Sequence, residues 1–565
     1  MAVRGRGLAI VGALVALLAG CAPGSPATQG GTLAGATPAP KVLTIADFAE
    51  PASLFGFNGK TDGGAGVAGG LAHDLLVQED GLRQWHASLA TELPSVDRAT
   101  WRVNVDGTMD VEWNLKPGVT WHDGAPFTSD DMMFTLTLNR DRELPNADVG
   151  VARRMESATN PDPYTFIIHW STVDILGASA TALQPLPRHL LEELYRSSKD
   201  AFLNSPLFRE QFVGLGPYRL ARWQQGSFIE VTRFEDYHRG APPLERVLVR
   251  YLSDANTAIA NLQAGAVDVI MPKVLEPDVL LAVRDQLESN GLRLRFEPLP
   301  RQAQIEPMMR PEFAKPLNGL PDVLVRRALS HAIDRRALTE LATGGLGPPA
   351  DSWFDPTDPM RPELESSIVK YSYEPARAQE LLTQAGWTRG TDGILVHPSG
   401  ERFDVELWAN PQTSNAVGNI LVDGWKRVGV NATFYPMPPA VYEDRVASVK
   451  RPGPLLSNVN TPLNGRDVAA RHDGRELATE ANRWTGRNRA GYQNPRADAV
   501  YDLLNSTIDP RARLPLLQEQ VQIFTSDVVH IPLYWEPGNS IAARGVKADI
   551  HPGNGSYRTD LWDRE

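Results

Sequence analysis

The chain has 565 residues, 22% of them charged, a formal net charge of −12 and one cysteine. An acidic surplus of that size disfavours nucleic acid as a partner, and a single thiol excludes a disulfide framework. At about 150 residues per domain the length suggests about three domains, with enough chain to bury a large core.

Arg4 and Arg6 precede an apolar stretch, Leu8 to Ala19, that is too short and Gly-rich to span a bilayer, and small residues follow. Residues 1–20 therefore read as a secretory signal peptide. Because Leu18-Ala19-Gly20 ends on Cys21, the segment resembles a bacterial lipobox, which implies a lipidated Cys21 as the mature N-terminus. Residues 21–40, almost entirely Ala, Gly, Pro, Ser and Thr, read as a flexible tether. No later segment approaches the length of apolar run that a membrane span needs, so the rest is expected on the outer face of the cell membrane.

Val42 to Ile45 predicts a buried strand leaving into a loop at Pro51, and a helix is expected over Leu71 to Leu76. Alternation predicts strands at Asp110 to Leu115, Tyr164 to Trp170 and Phe228 to Arg233. Helical spacing of Val325, Ala328, Leu329, Ala332 and Ile333 follows the start signal Pro321-Asp322, and Asp334 caps a second helix that Gly344-Gly345 stops. Ala378, Leu381, Leu382 and Ala385 mark another, with Pro375 in its first turn. A long helix follows Asp509-Pro510, and the apolar run Val528 to Trp535 predicts a buried strand.

Enzyme signatures are thin. Histidines are scattered, no His-Glu-x-x-His zinc motif occurs, and no thiol is free for catalysis once Cys21 is lipidated, so neither catalytic residue, metal nor cofactor is expected. His122-Asp123-Gly124 reads as turn chemistry. Gly64-x-Gly66-x-x-Gly69 matches a dinucleotide fingerprint by letter only, because a long loop separates it from the preceding strand. Thirteen tryptophans offer apolar walls for a ligand, although each one taken singly is better explained as core.

Several blocks in order are similar to the family 5 extracellular solute-binding proteins, the oligopeptide, dipeptide and nickel receptors of ABC importers. The longest runs from Trp113 through Lys116-Pro-Gly-Val119 and His122-Asp-Gly124 to Asp130-Asp131; Gly214-Leu-Gly-Pro-Tyr218, Phe234-Glu-Asp-Tyr237, Leu262 to Asp268, Arg326 to Arg335 and Ile531-Pro-Leu-Tyr534 follow. The resemblance implies an α/β, two-lobed periplasmic-binding-protein fold of type II with a subdomain inserted in lobe I. Its expected parts are lobe I at 41–69 and 205–300, the insertion at 70–204, lobe II at 301–534 and a return to lobe I at 535–565.

The implied protein is a monomeric, lipid-anchored receptor that captures peptides between its lobes, catalyses nothing, and hands them to a permease driven by an ATPase. Loop position suggests Phe55, Asn58, Trp408, Asn410, Asn458, Asn460, Asp467 and Trp484 as ligand contacts. Peptide-binding members often carry a Gly-Trp-x-x-Asp-Tyr-type segment whose aspartate holds the peptide's amine. Here Arg451 to Val468 lacks it, which leaves Asp467 for that role and keeps oligosaccharides or another polar solute open. An exported hydrolase and a surface sensor or adhesin are the competing classes.

Overall fold

The computed structural model describes residues 40–565, except 56–65, 82, 142, 145–153, 178–182, 273, 276, 355, 462–465 and 552–554 and the side chains of 277, 278, 466 and 467. Contacts separate Met1–Pro40 from one compact unit, Lys41–Glu565. The signal segment, Cys21 and the tether up to residue 39 lie outside the described residues, as does Asn58.

One ten-stranded sheet organises the compact unit. Its order is Asn431–Pro436, Asp404–Ala409, Leu455–Asn460, Arg293–Glu306, Ile531–Ala542, Val269–Ile270, Val42–Asp47, Arg246–Tyr251, Phe228–Arg233 and Tyr218–Gln224. The two long central strands are antiparallel, and each belongs to both halves. Arg293–Glu306 holds the first half-sheet through residues 301–306, which pair with 455–460, whereas Ile531–Ala542 holds the second through 541–542, which pair with 269–270. Between those attachments only the two-stranded ribbon continues, and its register shifts between Pro298 and Gln302. Pro298 and Pro300 have no N–H to give the ladder, so the extra residues of a bulge gather there.

Register also fixes direction. Asn460 pairs with Arg301 and Leu455 with Glu306, so the carboxyl ends of Leu455–Asn460 and its parallel neighbours Asp404–Ala409 and Asn431–Pro436 point at the ribbon. On the other side Val269–Ile270 runs against Ile531–Ala542, and the parallel strands Val42–Asp47 and Arg246–Tyr251 run with it, so their carboxyl ends point at the ribbon too. The result is two α/β lobes facing each other across a hinge.

Each lobe has its own apolar interior. Lobe II packs Val325, Ala328, Leu329, Leu382 and Trp425 against one face of its sheet, and Trp353, Val500, Val521 and Phe524 form a second cluster. Lobe I gathers Leu43, Ile45, Phe55, Tyr218, Val247 and Val249. A separate four-stranded antiparallel sheet, ordered Trp101–Val103, Met109–Asn114, Thr165–Trp170, Met155–Asp162, buries Val111, Trp113, Phe166 and Ile168. The expected α/β two-lobed architecture is thus the observed one.

Local chemistry sets the element ends. Asp322, Asp334 and Asp509 each accept an amide hydrogen bond as N-caps, and Gly344 closes its helix at φ 57°, a conformation open to glycine. Two expectations are corrected. The helix placed at Leu71 to Leu76 is Gly66–Ala72, because the Ala72 carbonyl accepts from Gly216 N at 3.1 Å instead of continuing the helical ladder. The strand expected from Val528 begins at Ile531, because Val528 is the left-handed cap of the preceding helix, and it runs on to Ala542.

His122-Asp123-Gly124 is a turn, as read from the sequence. The His122 Nδ1 accepts Gly214 N at 3.1 Å and Nε2 faces the Gly216 carbonyl at 3.0 Å, an arrangement that requires the neutral ring. Burial accordingly lowers its pKa to about 4.

Candidate functional site

In α/β sheets ligands bind in the crevice outside the carboxyl ends of the parallel strands. Here both lobes aim those ends at one ribbon, so the crevice between them is the candidate site, with the ribbon as its floor.

On the floor, Arg301 Nε lies 3.2 Å from Glu536 Oε2, and Asn458 Nδ2 donates to the other oxygen of the same carboxylate. Asn460 is exposed beside Arg301 at the strand end. The divergent stretch from Arg451 is mostly structural: the Arg451 guanidinium is buried, donating to Ser448 O at 2.8 Å and Glu306 at 2.5 Å. Burial would raise the Glu306 carboxyl, but the charge and hydrogen bond of Arg451, together with the nearby His472 and Arg471, outweigh it, so its pKa is lowered. Gly453 must lack a side chain, since a Cβ would stand 1.9 Å from Glu406 O.

The lobe I wall begins where Val42–Asp47 ends. Phe48 is 46% exposed there, its amide bonded to Asp47 Oδ1 at 2.8 Å. Glu50 accepts Trp223 Nε1 at 2.5 Å and Gly226 N at 2.7 Å, fixing the loop to the neighbouring hairpin. From the turn between Val77–Glu79 and Trp85–Ala87, Arg83 reaches across to the opposite lobe. Both its terminal nitrogens are 3.5 Å from Thr461 O, next to Asn460, and its Nε is 3.5 Å from Glu79. This contact exists only while the lobes are together. Arg83→Ala is expected to shift the ligand-free protein toward open forms, seen as a larger radius of gyration by small-angle X-ray scattering, with unfolding stability changed by less than about 1 kcal/mol. An unchanged radius would remove Arg83 from closure.

The residues singled out from the sequence do not all converge. Asn458 and Asn460 lie at the ribbon. Asn410 is at the end of its strand but folded into its own turn, its Oδ1 accepting Gln412 N at 2.9 Å. Trp408 pairs in register with Leu455 and packs its ring edgewise on Tyr435, 4.7 Å away, about five residues or 17 Å from the Asn460 level. Phe55 is core, 1% exposed against His73, Phe208 and Phe212. Trp484 stacks with Lys450 and Phe313, on segments at the end of the Leu455–Asn460 and Arg293–Glu306 pair away from the ribbon. Asp467 falls in helix Arg466–Arg471, and its side chain is outside the described residues. Eight tryptophans, Trp425 and Trp535 among them, are less than 2% exposed and serve as core.

Phe48, Arg83, Arg301 and Glu536 were not foreseen. The paired prolines before Arg301 were the one sequence signal that could have marked the floor, since they interrupt an otherwise continuous strand. Among the described residues no group of three His, Cys, Asp or Glu side chains is placed to hold a metal ion, and no helix is long and apolar enough to cross a membrane.

A sheet shared by two lobes, hinged on a ribbon with a polar crevice above it, is the architecture of a bilobal solute receptor. Residues 91–452 match the family model described as bacterial extracellular solute-binding proteins, family 5 Middle, and the chain belongs to that family. Its members are non-enzymatic substrate receptors outside the cytoplasm, and so is this chain.

It is similar to the oligopeptide-binding protein AppA of Bacillus subtilis, 23% identical over 532 residues that cover 92% of this chain and 91% of that protein. The glutathione-binding protein GsiB of Salmonella typhimurium is 26% identical over 459 residues, covering 76% and 83%. Among solved structures, NikA of Brucella suis in complex with Fe(III)-EDTA superposes with a TM-score of 0.73 at 18% identity, covering 93% of this chain and all of that one. AppA with a bound nonapeptide gives a TM-score of 0.64 at 20% identity, covering 93% and 99%.

Proposed function

We propose that the chain is the substrate-binding lipoprotein of an ABC importer, anchored through a lipid on Cys21, and that it captures peptides between its lobes for delivery to a membrane permease. The observation that carries the reading is the meeting of both sets of strand ends at the Pro298–Arg301 ribbon, which makes the crevice close when the lobes rotate. Glu536, Arg301, Asn458 and Asn460 offer an acceptor for an amine, a donor for a carboxylate and amide groups for a peptide backbone. Oligopeptide and glutathione binding by the relatives named above supports the same ligand class. The apolar clusters support lobe II at 301–534 and a return at 535–565, and the four-stranded sheet with its own cluster supports an insertion within 70–204, although Phe134, Leu138, Leu186 and Phe202 of that range pack into the cluster of lobe I at 41–69 and 205–300.

Asn458 and Asn460 lie in the Arg451 to Val468 stretch, which lacks the Gly-Trp-x-x-Asp-Tyr-type segment that peptide-binding members often carry, and amide side chains also suit sugar hydroxyls. The deciding experiment is a thermal-shift screen of the form beginning at Lys41 against peptides of differing length and a matched set of oligosaccharides. A ligand at about 100 times its dissociation constant adds about 2.7 kcal/mol of stability. Stabilisation by peptides of many sequences is the expected outcome. Stabilisation by sugars alone would replace the peptide assignment with a saccharide receptor.

A further inference from the structure

Away from the ribbon, lobe II holds a cavity of about 490 Å³ between the start of helix Arg335–Thr343, the segment 369–373 and the end of helix Pro510–Asp527. Its walls combine apolar surface from Ile333, Phe524 and Val528 with an unusual charge arrangement. The Arg335 guanidinium donates to Pro532 O at 2.7 Å, Ser330 O at 3.2 Å, Tyr371 O at 3.0 Å and Ser330 Oγ at 2.8 Å. All four acceptors are neutral, and a guanidinium has five N–H groups, so one Nη2 hydrogen is left over.

The carboxylates on the cavity wall are engaged elsewhere. Asp351 lies 2.7 Å from Arg361 and 3.3 Å from Lys370, and Asp334 accepts Ala337 N at 3.0 Å as an N-cap. Arg335 is half-buried, and desolvation of its guanidinium lowers its pKa to about 10 despite Asp351 nearby. A cation taken from water without a paired counter-charge is costly, and an anion in the cavity would relieve that cost. His530 also lines the cavity: it is 5% exposed, its ring packs beside Trp353 and His472, and among the described residues its Nδ1 has no hydrogen-bond partner. At the mouth, Arg336 is exposed and Tyr373 is 39% exposed, adding positive charge and an aromatic surface.

We propose that this cavity is a second ligand site, separate from the interlobe crevice, that takes a small carboxylate with an apolar body. The carboxylate meets Arg335 and the mouth arginine, His530 supplies a further hydrogen bond, and Phe524, Ile333 and Val528 pack the body. Charge selects the ligand: an amine of the same shape would face Arg335 and Arg336, while the wall carboxylates Asp334 and Asp351 are already engaged.

The test uses the full-length chain in mild detergent and fluorine NMR with two probes of like shape, 4-fluorobenzoate and 4-fluorobenzylamine. Saturable broadening of the benzoate alone, with a dissociation constant of about 1 mM or below, is expected. Arg336→Glu should weaken it by about tenfold or more without moving the thermal midpoint, and Tyr373→Ala should weaken it as well. No saturable broadening of the benzoate, an equal response to the amine, or undiminished benzoate binding in both variants would each overturn the site.

Discussion

Acidification from pH 7 to pH 5 is expected to cost this protein about 6 kcal/mol of unfolding stability, read as a lower urea midpoint. Burial lowers the pKa of four histidines, His73, His122, His472 and His530, all acting in the same direction, and the shifts of His73, His122 and His530 are the large ones. Burial lowers His73 to about 3, His122 to about 4 and His530 to about 3, from an ordinary value of 6.5. Between the folded and unfolded values the unfolded chain binds more protons, so stability rises with pH in that window and is lost as pH falls through 6.5. At pH 5 each of these three rings forfeits about 2 kcal/mol.

Asp74, lowered to about 2, does not titrate in this range, and Asp131, raised by burial, acts in the opposite direction only near the carboxylate range. His530→Asn should remove about 2 kcal/mol of the dependence. A midpoint that stays constant from pH 7 to pH 5 would mean that the rings are solvated or charged in the folded state. Net stability of a domain is about 5–15 kcal/mol, so the effect is a large part of the whole.

What could be read from the sequence was the part written in neighbouring residues. Asp322, Asp334 and Asp509 announce helix starts because their short side chains reach an amide two or three residues on, and Pro375 and Gly344 mark a start and a stop for equally local reasons. The two-lobed fold followed from the motif order. The site was mostly illegible because it is made by pairing between distant segments. Asn458 comes to the floor through its register with Ala303, and Glu536 through a strand that changes lobes on either side of it. Phe55 and Trp484 looked like pocket walls because both sit in loop-rich sequence, and nothing local distinguishes an aromatic turned to the core from one turned to a ligand. Arg83 belongs to the site only because its hairpin stands opposite Thr461, just past the end of Leu455–Asn460 and 378 residues away.

The substitution expected to do most damage is Asp74→Ala, at about 3–5 kcal/mol. Asp74 is fully buried where the inserted subdomain meets lobe I, and its carboxylate accepts from Ser88 Oγ at 2.6 Å, Gln78 Nε2 at 2.8 Å, Leu75 N at 2.8 Å and Tyr237 OH at 3.0 Å, with His238 Nε2 also at 3.0 Å. Burial alone would raise its pKa, but the His238 hydrogen bond, the Arg239 charge and the Ser88 hydrogen bond outweigh it and bring it to about 2. Removing the carboxylate leaves buried donors from two parts of the fold facing a cavity, and each donor keeps its desolvation cost without its partner.

Because Tyr237 and His238 come from lobe I and Ser88 from the hairpin region, the variant should also free the inserted sheet to open by itself, seen as proteolysis within residues 70–204 under conditions where the parent is intact. Asp97→Ala, at an exposed aspartate, is the control. If Asp74→Ala moves the urea midpoint no further than Asp97→Ala does, the buried carboxylate is not what joins the subdomain to lobe I, and the His122 turn with the Gly214–Gly216 backbone must hold it instead.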